Sequence, residues 1–145
     1  MTQETSPTPP VAGMLGKMRL LWAGFLWSLG IYILLMLVIR PTPRPVPVAL
    51  LAALSAAALG CAVAVVLLRR AAAAASQGPR PDLARRRGLD VASFALAEAV
   101  ALLGLVLGLL GGGLARFLPF VIASLVGFLL LFPRASDYPE GRASS

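Results

Sequence analysis

From Leu20 to Ile39 the chain reads LLWAGFLWSLGIYILLMLVI, twenty residues without a charge, bracketed by Arg19 and Arg40. As a helix rising about 1.5 Å per residue, that run covers about 30 Å, the thickness of a bilayer's hydrocarbon core. A helix apolar on every side belongs in lipid or at the centre of a large protein, and this chain has only 145 residues. The run also lacks a short apolar region followed by a small-residue cleavage site, so it reads as a retained helix and not a signal peptide.

Working outward, three further apolar runs follow: Val48 to Leu68, Val91 to Leu110 and Phe117 to Phe132. The first two runs are separated by Pro41-Thr42-Pro43-Arg44-Pro45-Val46-Pro47, where each proline removes a donor and blocks helix continuation. Gly111-Gly112-Gly113 predicts a tight turn between the last two. The expected fold is therefore an all-α integral membrane protein, a bundle of four transmembrane helices at about 20–39, 48–68, 91–110 and 117–132. These lie within a membrane domain of 17–134. Residues 1–16, rich in Thr, Ser and Pro, and the polar 135–145 read as loose tails.

Composition supports this class. Hydrophobic residues make up 59% of the chain and charged ones 13%, with a mean hydropathy of +0.86. A soluble domain of this size leaves too much surface outside its core to hide that apolar content.

The charges sort by position. With four spans, the N-terminal flank, central loop and C-terminus share one side, which carries Lys17, Arg19, Arg69, Arg70, Arg80, Arg85, Arg86, Arg87, Arg134 and Arg142. The other side carries Arg40, Arg44 and Arg116. Positive residues mark the cytoplasmic side, so the expected topology is N-in/C-in in a plasma or inner membrane. The net charge of +7 follows span ends, which argues for anionic headgroups as partners and against nucleic acid.

The central segment 71–90 is the longest polar stretch inside the chain. Its alanine run predicts continuation of the second helix, Gly78-Pro79-Arg80-Pro81 a break, and Asp82 a cap for a short basic turn through Arg87. Arg80, Arg85, Arg86 and Arg87 are candidates for headgroup or partner docking.

Catalytic classes fall away. There is no histidine, and the single cysteine, Cys61, sits in an apolar run. Ser28, Ser55, Ser93 and Ser124 have no histidine or lysine to activate them, so neither an enzyme, a metal site nor a cofactor is expected.

Helices in lipid associate through small residues that let backbones approach. Gly104, Gly108 and Gly112 repeat every four residues, Gly24 and Ser28 share that spacing, and the second helix is mostly Ala and Ser around Gly60. These are the candidate packing positions, within the bundle or towards a second copy or another membrane protein. Trp22, Trp27 and Tyr32 read as interface and packing aromatics.

Glu98 is the one acidic residue inside an apolar run, eight positions past Asp90 and so about 12 Å into the span. Ionised at that depth it costs several kcal/mol, so the protonated form is expected. Two readings stand open: a site for proton or cation handling, or an interhelical lock that hydrogen-bonds a carbonyl or Ser55.

The stretch Ala95-Leu96-Ala97-Glu98-Ala99-Val100-Ala101-Leu102-Leu103-Gly104-Leu105-Val106 resembles the carboxylate-bearing helix of the proteolipid (c) subunit of rotary ATP synthases. The order of a small-residue helix, a basic loop with Gln77 and Pro79, then the glutamate helix is similar too, over about Leu50 to Leu110. The resemblance implies that Glu98 binds a translocated proton or sodium ion. The second helix keeps only Gly60 where that family repeats glycines, and the first and fourth runs are additions. The expected function is accessory or scaffolding, with proteolipid-like ion handling as the alternative.

Overall fold

The computed structural model describes residues 11–42, 44–76 and 82–134. Arg80, the Gly78–Pro81 break and the tail 135–145 lie outside the described residues. Two single helices come first, α1 (Val11–Ile39) and α2 (Val48–Ser76). A third helical stretch comprises α3 (Leu83–Leu107), a π-helical turn (Gly108–Gly112) and α4 (Gly113–Leu130).

The expected number of spans is corrected here. Among the described residues three stretches, not four, are long and apolar enough to cross a membrane: Leu15–Ile39, Val48–Ala75 and Ala84–Leu130. The last has 47 residues and contains a kink at Gly111, whose φ 115° and ψ 0° are not helical, so α3 and α4 are its two arms. The Gly108 amide donates to the carbonyls of Gly104 and Leu105, and the Gly113 amide donates to Gly108. The reversal is made at Gly111 (φ 115°) and Gly113 (φ 61°), conformations that a residue without Cβ adopts at little cost. As a straight rod this stretch would measure about 70 Å, but it doubles back, since Ser124 Oγ donates to the Ala97 carbonyl at 2.7 Å. The four-span bundle, with the N-in/C-in crossing count attached to it, is replaced by two single helices and one helical hairpin.

Helix starts also differ from expectation. Val11–Gly16 belong to α1 and not to a tail. The Asp82 carboxylate accepts the Arg85 amide at 2.9 Å, and the helix it caps runs on without a break at Gly88. Arg85, Arg86 and Arg87 thus lie in the first two turns of α3. Gly88 is exposed with nothing within 4 Å, and the helix runs through it at the usual cost of about 1 kcal/mol relative to alanine.

α3 is the central element. It packs on α2, α4 and α1, whereas α2 and α4 barely touch. The inward stripe of α1 is Leu15, Met18, Trp22, Phe25, Leu29, Tyr32 and Met36, which steps by three and four residues in turn. α2 shows the same spacing in its least exposed residues: Leu51, Leu54, Ala58, Cys61, Val65, Leu68 and Ala72. That 3-4 alternation gives the shallow crossings of left-handed helix bundles. At the centre, Phe94, Phe117 and Phe128 are fully buried, and Phe25, Phe94 and Phe128 form a triangle with ring centroids 6.1, 6.3 and 6.5 Å apart.

The exterior is apolar. Trp27 and Leu20 are each 75% exposed and Val48 80%, with most of the outward Leu, Ile and Val of every helix beside them. Soluble monomers rarely carry apolar patches on this scale, so the surface is compatible with a small protein of the membrane.

Candidate functional site

α1 and α3 run parallel, which brings Phe25 against Phe94 and Met36 against Gly108. Between those contacts the α1 stripe places Tyr32 opposite Glu98. The phenol donates to Glu98 Oε1 at 2.7 Å, and both side chains are half-buried. Among the described residues Tyr32 is the hydrogen-bond partner of Glu98. Ser55, the donor considered from sequence, is exposed on α2.

Glu98 also borders an open cleft of about 360 Å³ with Leu20, Leu21, Gly24 and Phe25. Gly24 helps to leave that space, since a Cβ there would meet nothing within 4 Å. The carboxyl group is therefore tied on one side and reachable on the other. Chemically, a single carboxyl with one phenol can hold or release one proton. It falls short of a cage for a metal cation, which takes six or more oxygens for calcium and at least four ligands for zinc. Among the described residues no three His, Cys, Asp or Glu side chains come together.

No protein-family model, curated protein or solved structure matches this chain. The residues themselves must carry the reading.

The predicted packing positions divide into two groups. Gly104 and Gly108 sit at real close approaches: Phe120 and the Phe117 carbonyl lie over the first, Met36 and Phe117 over the second. Gly112 belongs to the reversal, with the Leu107 carbonyl 2.7 Å from where its Cβ would stand. Gly24 and Gly60 have nothing within 4 Å, and Ser28 donates within its own helix to Phe25 at 2.6 Å.

The basic residues divide as well. Arg85 and Arg87 are exposed, but Arg86 is buried and pairs with Asp90, Nε to Oδ2 3.7 Å. It lines a cavity of about 210 Å³ with Arg69, Phe94 and Phe132.

Two contributions were not read from sequence. Tyr32 and Trp22 pass there as generic interface aromatics, yet Tyr32 holds Glu98 and Trp22 Nε1 donates to the Phe128 carbonyl at 2.9 Å. The available signal was their spacing from Leu15, Met18, Phe25 and Leu29. An all-apolar helix hides it.

Proposed function

We propose that this chain is a small integral membrane protein of accessory or scaffolding type, which associates with a second copy or another membrane protein through the outer face of α2. The supporting observation is that α2 spends one stripe on α3 and turns Ala52, Ala53, Ala56, Ala57 and Gly60 outward, with open space over Gly60. Small residues spaced by four on a lipid-facing side allow close backbone contact between helices. The end of the bundle with Arg69, Arg70 and Arg85–Arg87 faces the cytoplasm in this reading, as the positive-inside bias requires.

Gly60→Ile is the test. Energy transfer between labelled copies, measured as lipid dilutes the protein in vesicles, should show association weakened about tenfold or more, equivalent to about 1.4 kcal/mol. Stability of the single chain should be unchanged. Wild type that transfers no energy at any dilution, and retains no membrane protein on purification, would sink the proposal.

The cleft at Glu98 favours a second reading, proton handling of the proteolipid kind. Here Glu98 exchanges its proton through the cleft while Tyr32 orients it. A hydrophobic carbodiimide should modify Glu98 in reconstituted wild type and leave Glu98→Gln untouched, with protection by sodium or high pH. Absence of modification at every pH would leave Glu98–Tyr32 as an interhelical lock.

A further inference from the structure

α2 and α4 each pack on α3 but hardly on each other, and this leaves an apolar cleft between them. It holds about 360 Å³ and is lined by Val65, Val66, Gly127 and Leu130, with Arg69 and Arg70 at one end.

At its arginine end the cleft meets the cavity that contains Arg86. The two share the lining residues Arg69, Ala73 and Leu131, so apolar slot and basic chamber adjoin. Among the described residues Asp90 is the acid that lines these spaces, and it is engaged with Arg86. Neither Arg69 nor Arg70 has a carboxylate partner among the described residues. Among the described residues, Arg69 and Arg70 therefore set two positive charges at the end of an apolar slot. Arg69 lies 21 residues past Val48, roughly 30 Å along α2, which places it where hydrocarbon gives way to headgroups. Trp22, edge-on to Phe132 at 5.1 Å, marks the same level with the kind of aromatic that favours that boundary.

From this adjacency and charge we infer that the α2–α4 cleft is a site for one anionic phospholipid. An acyl chain lies along Val65, Val66 and Leu130, and the phosphate sits between Arg69, Arg70 and the Arg86 chamber. The site differs from the loose headgroup contact expected of exposed basic residues such as Arg85 and Arg87, because it holds the chain as well as the charge.

The test is native mass spectrometry of the full chain released from vesicles containing equal phosphatidylglycerol and phosphatidylcholine with identical acyl chains. Two arginines at about 1 kcal/mol each predict about a 30-fold preference for the anionic lipid. Arg69→Gln with Arg70→Gln should bring the ratio close to unity, while Arg69→Lys with Arg70→Lys should keep it. Val66→Trp fills the slot without touching charge and should lower retention of phosphatidylglycerol about tenfold. Equal retention of both lipids by wild type overturns the inference, and that result needs no variant to fold. A preference that survives the double glutamine change, or is indifferent to Val66→Trp, overturns it too. So does free glycerol phosphate displacing the lipid, or a second copy of the chain held at this face in its place.

Discussion

Gly104→Leu should destabilise the chain by about 3 kcal/mol or more, among the largest effects available to one substitution. Overpacking a dense core costs about 1–3 kcal/mol when side chains can move aside. Here they cannot. A Cβ on Gly104 meets Phe120 Cβ and Cγ, the latter at 2.8 Å, and the Phe117 carbonyl at 3.3 Å. Phe120 Cβ is fixed to the backbone of α4, so the helix itself must withdraw from α3. That opens the bond from Ser124 to Ala97 and loosens the contacts of Phe117 and Val121, both in the buried core. Titrating detergent-solubilised protein with dodecyl sulfate and following Trp22, which reports on α4 through Phe128, measures the loss. Gly30→Ala is the control: nothing lies within 4 Å of that glycine, and a helix prefers alanine by about 1 kcal/mol. If Gly104→Leu unfolds at the same dodecyl sulfate fraction as wild type, α3 and α4 do not pack as described.

What could be read from sequence follows from what lipid hides. The apolar runs themselves are plain, because their length against bilayer thickness is a one-dimensional quantity. Packing faces are not. In a soluble helix the inward stripe announces itself by contrast with polar residues, but α1 is apolar all round, and Trp22, Phe25 and Tyr32 look no different from outward Trp27 or Ile31. Their separation depends on α3, some 70 residues away.

The same reason explains what the sequence hides near the site. Glu98 stands out because a carboxyl inside an apolar run is costly wherever it points. Its partner did not, since the distance of 66 residues to Tyr32 is closed only by the parallel docking of α1 on α3. Ser55 was a reasonable donor only if α2 presented it to Glu98, and α2 instead turns Ala58 inward and leaves Ser55 exposed. Arg85, Arg86 and Arg87 stand together in the sequence as candidates for headgroup or partner docking, and continuation of α3 back to Leu83 turns Arg86 in towards Asp90 and leaves Arg85 and Arg87 outside.

The glycines at 111–113 show how a correct local signal led to a wrong count. Three glycines predict a reversal, and the chain reverses. They do not say whether helical hydrogen bonding stops, and the link from Gly113 to Gly108 carries it through. Gly111→Val tests that geometry directly. Gly111 is buried at φ 115°, where a β-branched residue pays for left-handed backbone about 1–3 kcal/mol. The added Cβ also stands 2.8 Å from Arg44 Cβ and 3.2 Å from Arg44 N, the amide that donates to the Gly111 carbonyl at 2.9 Å. Strain and the displaced link to Arg44 together predict a loss of about 3 kcal/mol, with α3 straightening into α4. Paired cysteines at Ala97 and Gly127, one on each arm, should cross-link in the Gly111 background because a Cβ at 127 would lie 3.5 Å from Ala97 Cβ. Adding Gly111→Val should abolish that cross-link. A cross-link that forms equally well in both backgrounds would place the bend elsewhere, and the special role of Gly111 would have to be abandoned.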